Sequence, residues 1–251
     1  MKISTKDWLN YIGRLRKLNE TAADKMQKFI QLNGFGDTQA IIDYGYGLAT
    51  KYGEGAGALA AEMYDIIAEL EKQTLPAAEI AATASYADVA KTVNGILKTS
   101  NNDKIIAEAI GRLVKRAGQD TTLKNALRDG AEAAWVPVGD TCAFCIALAS
   151  RGYQKVGKNT LKNGHAEHIH SNCDCAYSVR FRDTDGVDGY DPEYYYQQYA
   201  SAEGGNSKEK INAMRRRYYA ENKERINAQK RDAYERRKEL NAPDAEELDV
   251  N

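Results

Sequence analysis

The sequence predicts an α+β fold that is mostly α, with an N-terminal multi-helix domain over 1–130, a small α/β domain over 131–205, and an extended basic helix with an acidic tail over 206–251. Three observations carry this. Apolar residues recur at helical spacing through the first half. Strand-like alternation and all the cysteines come only after about residue 131. Beyond Ser207 the chain loses apolar residues and gains Lys and Arg. At 251 residues, 43% hydrophobic and 28% charged, there is ample material for a core.

The helices follow in order. Ser4 with Asp7 reads as an N-cap and its partner, and Trp8, Tyr11, Ile12, Leu15 and Leu18 then repeat at helical spacing, extended by Met26, Phe29 and Ile30. Asn33-Gly34-Phe35-Gly36 breaks this helix. A second stripe holds Ile41, Ile42, Gly45, Leu48, Ala49 and Tyr52; Gly53, Gly55 and Gly57 are expected to interrupt it before a third stripe of Leu59, Met63, Ile66, Ile67 and Leu70. Leu75-Pro76 is expected to end that helix and begin the next, which carries Val89, Val93, Ile96 and Leu97. Ile106, Ile110, Leu113 and Val114 mark another helix, and Leu123 with Leu127 a shorter one ending at Gly130, giving six helical segments. These stripes read as core. No Walker, H-E-x-x-H or G-x-S-x-G motif occurs, and Gly55-Ala56-Gly57 is too short for a phosphate loop.

After residue 131 the texture changes. Ala134 to Val138, which contains Pro137, reads as an edge strand entering a turn at Gly139-Asp140. Tyr153 to Val156 and Ala176 to Phe181 are the other strand candidates, the second with Tyr177, Val179 and Phe181 on one face. Asp183 to Tyr190 reads as a solvated, glycine-marked turn that lacks the spacing of a calcium loop. Asp191-Pro192-Glu193 starts a helix bearing Tyr194, Tyr195, Tyr196 and Tyr199. Tyr, at 16 residues against 4 Phe and 2 Trp, suits boundaries and interfaces, with its apolar ring and its hydroxyl.

The four cysteines and three histidines all lie between Trp135 and Phe181, as Cys142-x-x-Cys145, His165, His168, and His170-x-x-Cys173-x-Cys175. Thiolates and a neutral imidazole at these spacings fit one tetrahedral Zn2+. Cys142, Cys145 and Cys173 are the firmest ligands, and the fourth is His170 or Cys175. With five candidates for four positions, a closed structural site is expected and no catalytic residue is assigned. The 131–205 segment is therefore expected to be zinc-stabilised. A disulfide framework and a Cys–His thiol protease compete with this reading. Zinc-held thiols resist alkylation until a chelator is added, whereas a nucleophilic thiol reacts at once.

The formal net charge is -1, so any attraction for nucleic acid must be local. Between Ser207 and Leu240 there are twelve Lys and Arg against six Asp and Glu. Ile211-Asn212-Ala213 with Tyr219 recurs as Ile226-Asn227-Ala228 with Tyr234. Arg215, Arg216, Arg217, Lys223, Arg225, Lys230, Arg231, Arg236 and Arg237 are candidate phosphate contacts, with Tyr218, Tyr219 and Tyr234 packing beside them. The plainer alternative is a solvated helix laced with i,i+4 pairs such as Glu221 with Arg225. Met1 to Lys6 leads into an amphipathic segment with no signal-peptide pattern, and no apolar run approaches the roughly 20 residues of a membrane span. Synthesis in a cytoplasm and no membrane partner are therefore expected, a setting in which clustered cysteines favour metal.

Three stretches together carry a resemblance: Trp135-Val136-Pro137-Val138-Gly139-Asp140-Thr141-Cys142-Ala143-Phe144-Cys145, Ala149-Ser150-Arg151-Gly152-Tyr153, and His170-Ser171-Asn172-Cys173-Asp174-Cys175. They resemble the minor head proteins of tailed bacteriophages, the head-morphogenesis group named after the F protein of phage Mu. The likeness continues through Gly189-Tyr190-Asp191-Pro192 and the Tyr-rich helix, covering about 131–200. It implies a structural minor capsid protein of the virion, assembled in the bacterial host cytoplasm and located at the portal vertex or capsid interior. The portal protein, the major capsid protein or both would be partners, with packaged double-stranded DNA nearby and oligomers set by virion symmetry. The role implied is in DNA packaging or ejection. Some relatives carry a capsid maturation protease label, but no protease motif occurs here. A zinc-stabilised nuclease of the His-Asn-His kind, using His168, His170 and Asn172, is a rival; nothing after Cys175 supplies the second histidine or asparagine that such a site needs.

Overall fold

The computed structural model describes residues 2–139, 141–157 and 174–240, without the side chains of Gln229, Ala233 and residues 236–240. The chain divides into two compact units, Met1–Gln198 and Tyr199–Asn251. The first holds strand β1 (Lys2–Ile3) and helices α1 (Thr5–Asn33), α2 (Thr38–Leu70), α3 (Tyr86–Leu97) and α4 (Asp103–Asp129). Then come β2 (Glu132–Val136), α5 (Ala143–Ala149), β3 (Gln154–Lys155), β4 (Ala176–Arg180), β5 (Gly186–Val187) and most of α6 (Pro192–Ala200). The mostly helical α+β class is as the sequence predicts.

Caps follow the sequence closely. Asp7 N–H donates to Ser4 Oγ at 3.1 Å and the hydroxyl donates back to Asp7 Oδ2 at 2.6 Å. Ser85 and Asp88 form a full capping box on α3, with the Ser85 backbone N–H donating to Asp88 Oδ2 at 3.1 Å, and Gly130 closes α4 in the left-handed conformation at φ 68°.

Four long helices form where six segments were expected, because the glycines after Tyr52 do not break α2 and the stretch from Ile106 to Leu127 is one helix. The glycines serve close packing instead. A Cβ on Gly57 would stand 2.5 Å from Ile80, and one on Gly118 would stand 3.2 Å from the backbone oxygen of Ala56. Helix α4 and residues 73–85 thus lie almost directly on the α2 backbone. Pro76 likewise does not start a helix. Residues 73–85 stay non-helical because α4 side chains pair with their backbone. Asn125 accepts from Glu79 N–H and donates to Glu79 C=O, both at 2.9 Å; Thr121 Oγ1 accepts from Ala81 N–H at 3.0 Å; and Arg128 donates to the carbonyls of Pro76 and Ala77. Satisfied backbone groups outweigh the helix preference of an Ala-rich segment.

Two large apolar clusters, beside the smaller one around Trp135, stabilise this unit among the described residues. One joins Met26 and Ile30 of α1, Ile41 and Ile42 of α2, Val89 and Val93 of α3, and Ile106 and Ile110 of α4. The other joins Trp8, Tyr11 and Leu15 of α1 to Tyr64 and Ile67 of α2, Leu123 of α4, Val136 of β2 and Val179 of β4. Residue 130 therefore marks a change of local structure inside continuous packing, since the second cluster runs from the helices into the sheet.

That sheet has the order β3-β2-β4, antiparallel throughout, with Trp135 opposite Tyr177 and Val136 opposite Ala176. Strand β2 is central, not the edge strand expected, because Pro137 falls just outside it. The outer edge of β4 is covered by helix side chains: Tyr177 N–H donates to Gln119 Oε1 and Phe181 N–H to Glu71 Oε2, each at 2.8 Å. The 183–190 segment is a solvated turn only in part: Asp183, Thr184, Asp188 and Gly189 are exposed, but the residues between them are not. Gly186 and Val187 are buried and pair in parallel with Lys2 and Ile3. Asp185 is 6% exposed and pairs with Arg182 Nε at 2.7 Å. Burial pushes the neighbouring Glu71 carboxyl up, and Asp185 adds to the effect. Burial also opposes ionisation of Asp185, but its hydrogen bonds and the Arg182 charge outweigh it and hold that carboxyl below the usual range.

The second unit contains α7 (Ser207–Glu221) and α8 (Lys223–Leu240), where one long helix was expected. Asn222 divides them: its side-chain amide donates to Tyr218 C=O at 2.9 Å, and its backbone leaves helical geometry at φ -111°, ψ 12°. Among the described residues no helix is long and apolar enough to cross a membrane.

Candidate functional site

After β2, Gly139 bends with φ 67°, and Thr141 Oγ1 donates to Gly139 C=O at 3.0 Å. Cys142 then caps α5, its Sγ accepting the Cys145 N–H at 3.5 Å. Because the C-x-x-C spacing coincides with the N-cap and third helical position, one helical turn holds both sulfurs. Cys175 comes from the residue immediately before β4, the strand paired with β2. Trp135, Cys145 and Cys175, each 2% exposed or less, form one buried cluster, with Cys142, Phe144, Leu148 and Tyr177 packed against it. The Trp135 and Tyr177 rings meet edge to face at 4.9 Å, and burial pushes the Tyr177 phenol up to about 12.

The structure thus brings Cys142, Cys145 and Cys175 to one place. His170 and Cys173 lie outside the described residues, as do His165 and His168. Among the described residues no group of three His, Cys, Asp or Glu side chains could hold a metal ion, so Cys142, Cys145 and Cys175 share a cluster without forming a three-ligand set. One local feature suits a metal-binding thiolate: the Cys142 sulfur accepts a backbone N–H. The buried Trp135 Nε1 beside it has no hydrogen-bond partner among the described residues.

Residues outside the cysteine motif hold the site to the helical body. Arg16 Nη1 of α1 reaches Asp174 Oδ2 at 3.0 Å, beside Cys175, and Gln119 of α4 takes the Tyr177 N–H. Tyr190 Oη donates to Ala149 C=O at the end of α5 at 2.6 Å. Burial pushes the Tyr195 phenol up, a hydrogen bond with Thr141 lowers it in part, and the nearby Cys175 raises it again. Neither Arg16 nor Gln119 carries a sequence signal, because a polar residue on a helix far away in the chain reads as surface.

The basic residues lie in the second unit. Asn206 caps α7, accepting the Glu209 N–H at 3.0 Å. Glu221 pairs with Arg217 at 2.9 Å, and Arg225 donates to Tyr218 Oη at 2.7 Å and to Asn222 Oδ1 at 2.9 Å. Lys230 Nζ stands 5.7 Å from the centre of the Tyr219 ring. No residue of α7 is buried, and Tyr219 and Tyr234 are 44% and 67% exposed. Arg215, Arg216, Lys223 and Arg231 have no ion-pair partner among the described residues. The Arg236 and Arg237 side chains lie outside the described part.

No curated protein and no solved structure matches the chain. The profile of the VG15 protein family matches residues 2–202, which takes in the whole helix-and-sheet body together with the cysteine-bearing segment. The chain therefore belongs to the VG15 protein family, a family of viral proteins.

Proposed function

We propose that this protein is a structural minor capsid, or head-morphogenesis, protein of a tailed phage, placed at the portal vertex or on the inner capsid wall and in contact with packaged DNA. The observation that carries this reading is the viral family match over residues 2–202, because it embraces both the helical body and the segment that resembles minor head proteins. Zn2+ would be held by Cys142, Cys145 and Cys173 with His170 or Cys175, and its role would be to pin α5 to the strand that starts at Ala176. No step of chemistry is assigned to it, and the protein is read as a non-enzyme. The exposed arginines and lysines of α7 and α8 would bind phosphate backbones without sequence preference. A protein-binding role for the same helices is the second reading, favoured by the half-buried Ile211, Met214 and Ile226 beside the cations.

Co-purification with the portal oligomer across a salt series, with and without DNA, tests the proposal. Portal capture that survives nuclease treatment, with a further DNA-dependent fraction lost at high salt, is the expected result. Binding to neither portal nor DNA would sink the virion reading. Metal analysis and cysteine alkylation of the same preparation test the zinc assignment, which requires bound zinc and thiols that react only after chelation.

A further inference from the structure

A groove of about 430 Å³ runs between α3 and α4, remote in sequence from the cysteine motif. Its lining alternates by chemistry. Ile96 and Leu113, both half-buried, supply apolar wall, and Lys91 from α3 faces Arg112 and Arg116 from α4. Gly95 leaves the groove open, since a Cβ there would meet nothing within 4 Å. The two acids nearby are already engaged. Asp88 closes the capping box with Ser85, which holds its carboxyl below the usual range with help from Arg116 and Lys91, and Asp120 pairs with Arg116 at 3.2 Å. Arg112 has no ion-pair or hydrogen-bond partner among the described residues.

We infer that this groove docks an acidic, amphipathic peptide segment of a partner protein, with a carboxylate on Arg112 and an apolar side chain between Ile96 and Leu113. Arg112 and Arg116 are one helical turn apart, a spacing that glutamates four residues apart on a docked helix reproduce. Charge complementarity selects an acidic occupant, and the apolar wall selects a peptide over nucleic acid. A duplex is a wide rod whose phosphates would reach the cationic rim and leave Ile96 and Leu113 unfilled. Desolvation by that apolar contact is what makes the arginine–carboxylate pair count, since a fully exposed pair contributes little.

The test uses the full-length protein and a fluorescein-labelled helical peptide carrying Glu-x-x-x-Glu around one leucine, read by anisotropy. Saturable binding is expected, weakened about tenfold or more when the glutamates become glutamines, and by a similar factor in Arg112→Glu. Gly95→Leu fills the groove without changing charge, and it should weaken binding comparably while leaving thermal stability unchanged or higher. A short DNA duplex is the third arm. The inference is overturned if the peptide does not bind, if neither variant affects its binding, or if only the duplex binds in an Arg112-dependent way.

Discussion

The unit ending at Gln198 and the unit beginning at Tyr199 are both largely helical, yet their helices are used in opposite ways. Helix α4 buries residues all along its length, including polar Gln119, Thr121 and Asn125, each of which reaches a backbone group of another segment. Helix α7, only about half as long, buries none. The first kind of helix is held by partners on several sides. The second is held by its own caps and local pairs, and its side chains remain available. Helical pattern alone therefore does not separate a scaffold from a presenting arm; the presence of a covered face does.

The sharpest way to break that contrast is an added methyl group or two. Gly118→Val forces a branched side chain against the Ala56 backbone, 3.2 Å from where its Cβ must sit. A loss of about 2–3 kcal/mol is expected in urea denaturation followed by circular dichroism, as overpacking at a helix crossing would give. The parallel change Ala213→Val in α7 should cost only the helix preference, about 0.5 kcal/mol. Equal losses at the two sites would mean that α7 is packed like α4.

A second test concerns the buried acids. Burial raises the Glu71 carboxyl, so its favourable contribution is complete below the unfolded value of about 4.3 and is lost as pH rises through the folded one. Asp185 works the other way, contributing above its unfolded value and losing that contribution as pH falls. Glu71→Gln keeps an acceptor for Phe181 N–H and removes the ionisation. Its melting temperature should match the wild type in weak acid and exceed it increasingly toward neutral pH, by the equivalent of about 1 kcal/mol. A gap that closes with rising pH would contradict the assignment.

The smallest stability effect is expected where the functional effect is largest. Arg215→Ala with Arg216→Ala removes two exposed cations and should change stability by less than about 0.5 kcal/mol. If α7 binds phosphate backbones, the slope of log affinity for duplex DNA against log salt should fall by about 2. An unchanged slope would leave protein binding as the role of this helix.

Much of this was legible in the chain. The capping pair Ser4–Asp7, the apolar stripes, the strand at Tyr177 and Val179, and the tyrosine helix after Pro192 all form where local chemistry points. The gathering of Cys142 and Cys145 was equally legible, because one helical turn fixes their spacing. What spacing alone misread has a common cause. Gly53 to Gly57, Pro76 and Gly186 are locally breakers or loop formers, but each meets a distant segment that changes its meaning. Gln119 and Glu71 read as surface polar residues until β4 arrives with unpaired N–H groups.

By itself the sequence determined the helical and strand periodicities, the caps, the cysteine pair on one turn, and the excess of cations beyond Ser207. These depend on neighbours within a few residues. Tertiary structure decided that glycines join helices instead of ending them, that residues 73–85 stay non-helical, and that Gly186 and Val187 pair with Lys2 and Ile3. It also decided that Arg16 and Gln119 anchor the cysteine-bearing segment. The physical reason is that each depends on a segment distant in the chain. A glycine must fit against a neighbouring helix, a side-chain charge must find its counter-ion, and a buried backbone N–H or C=O must find a partner, none of which a local pattern can announce.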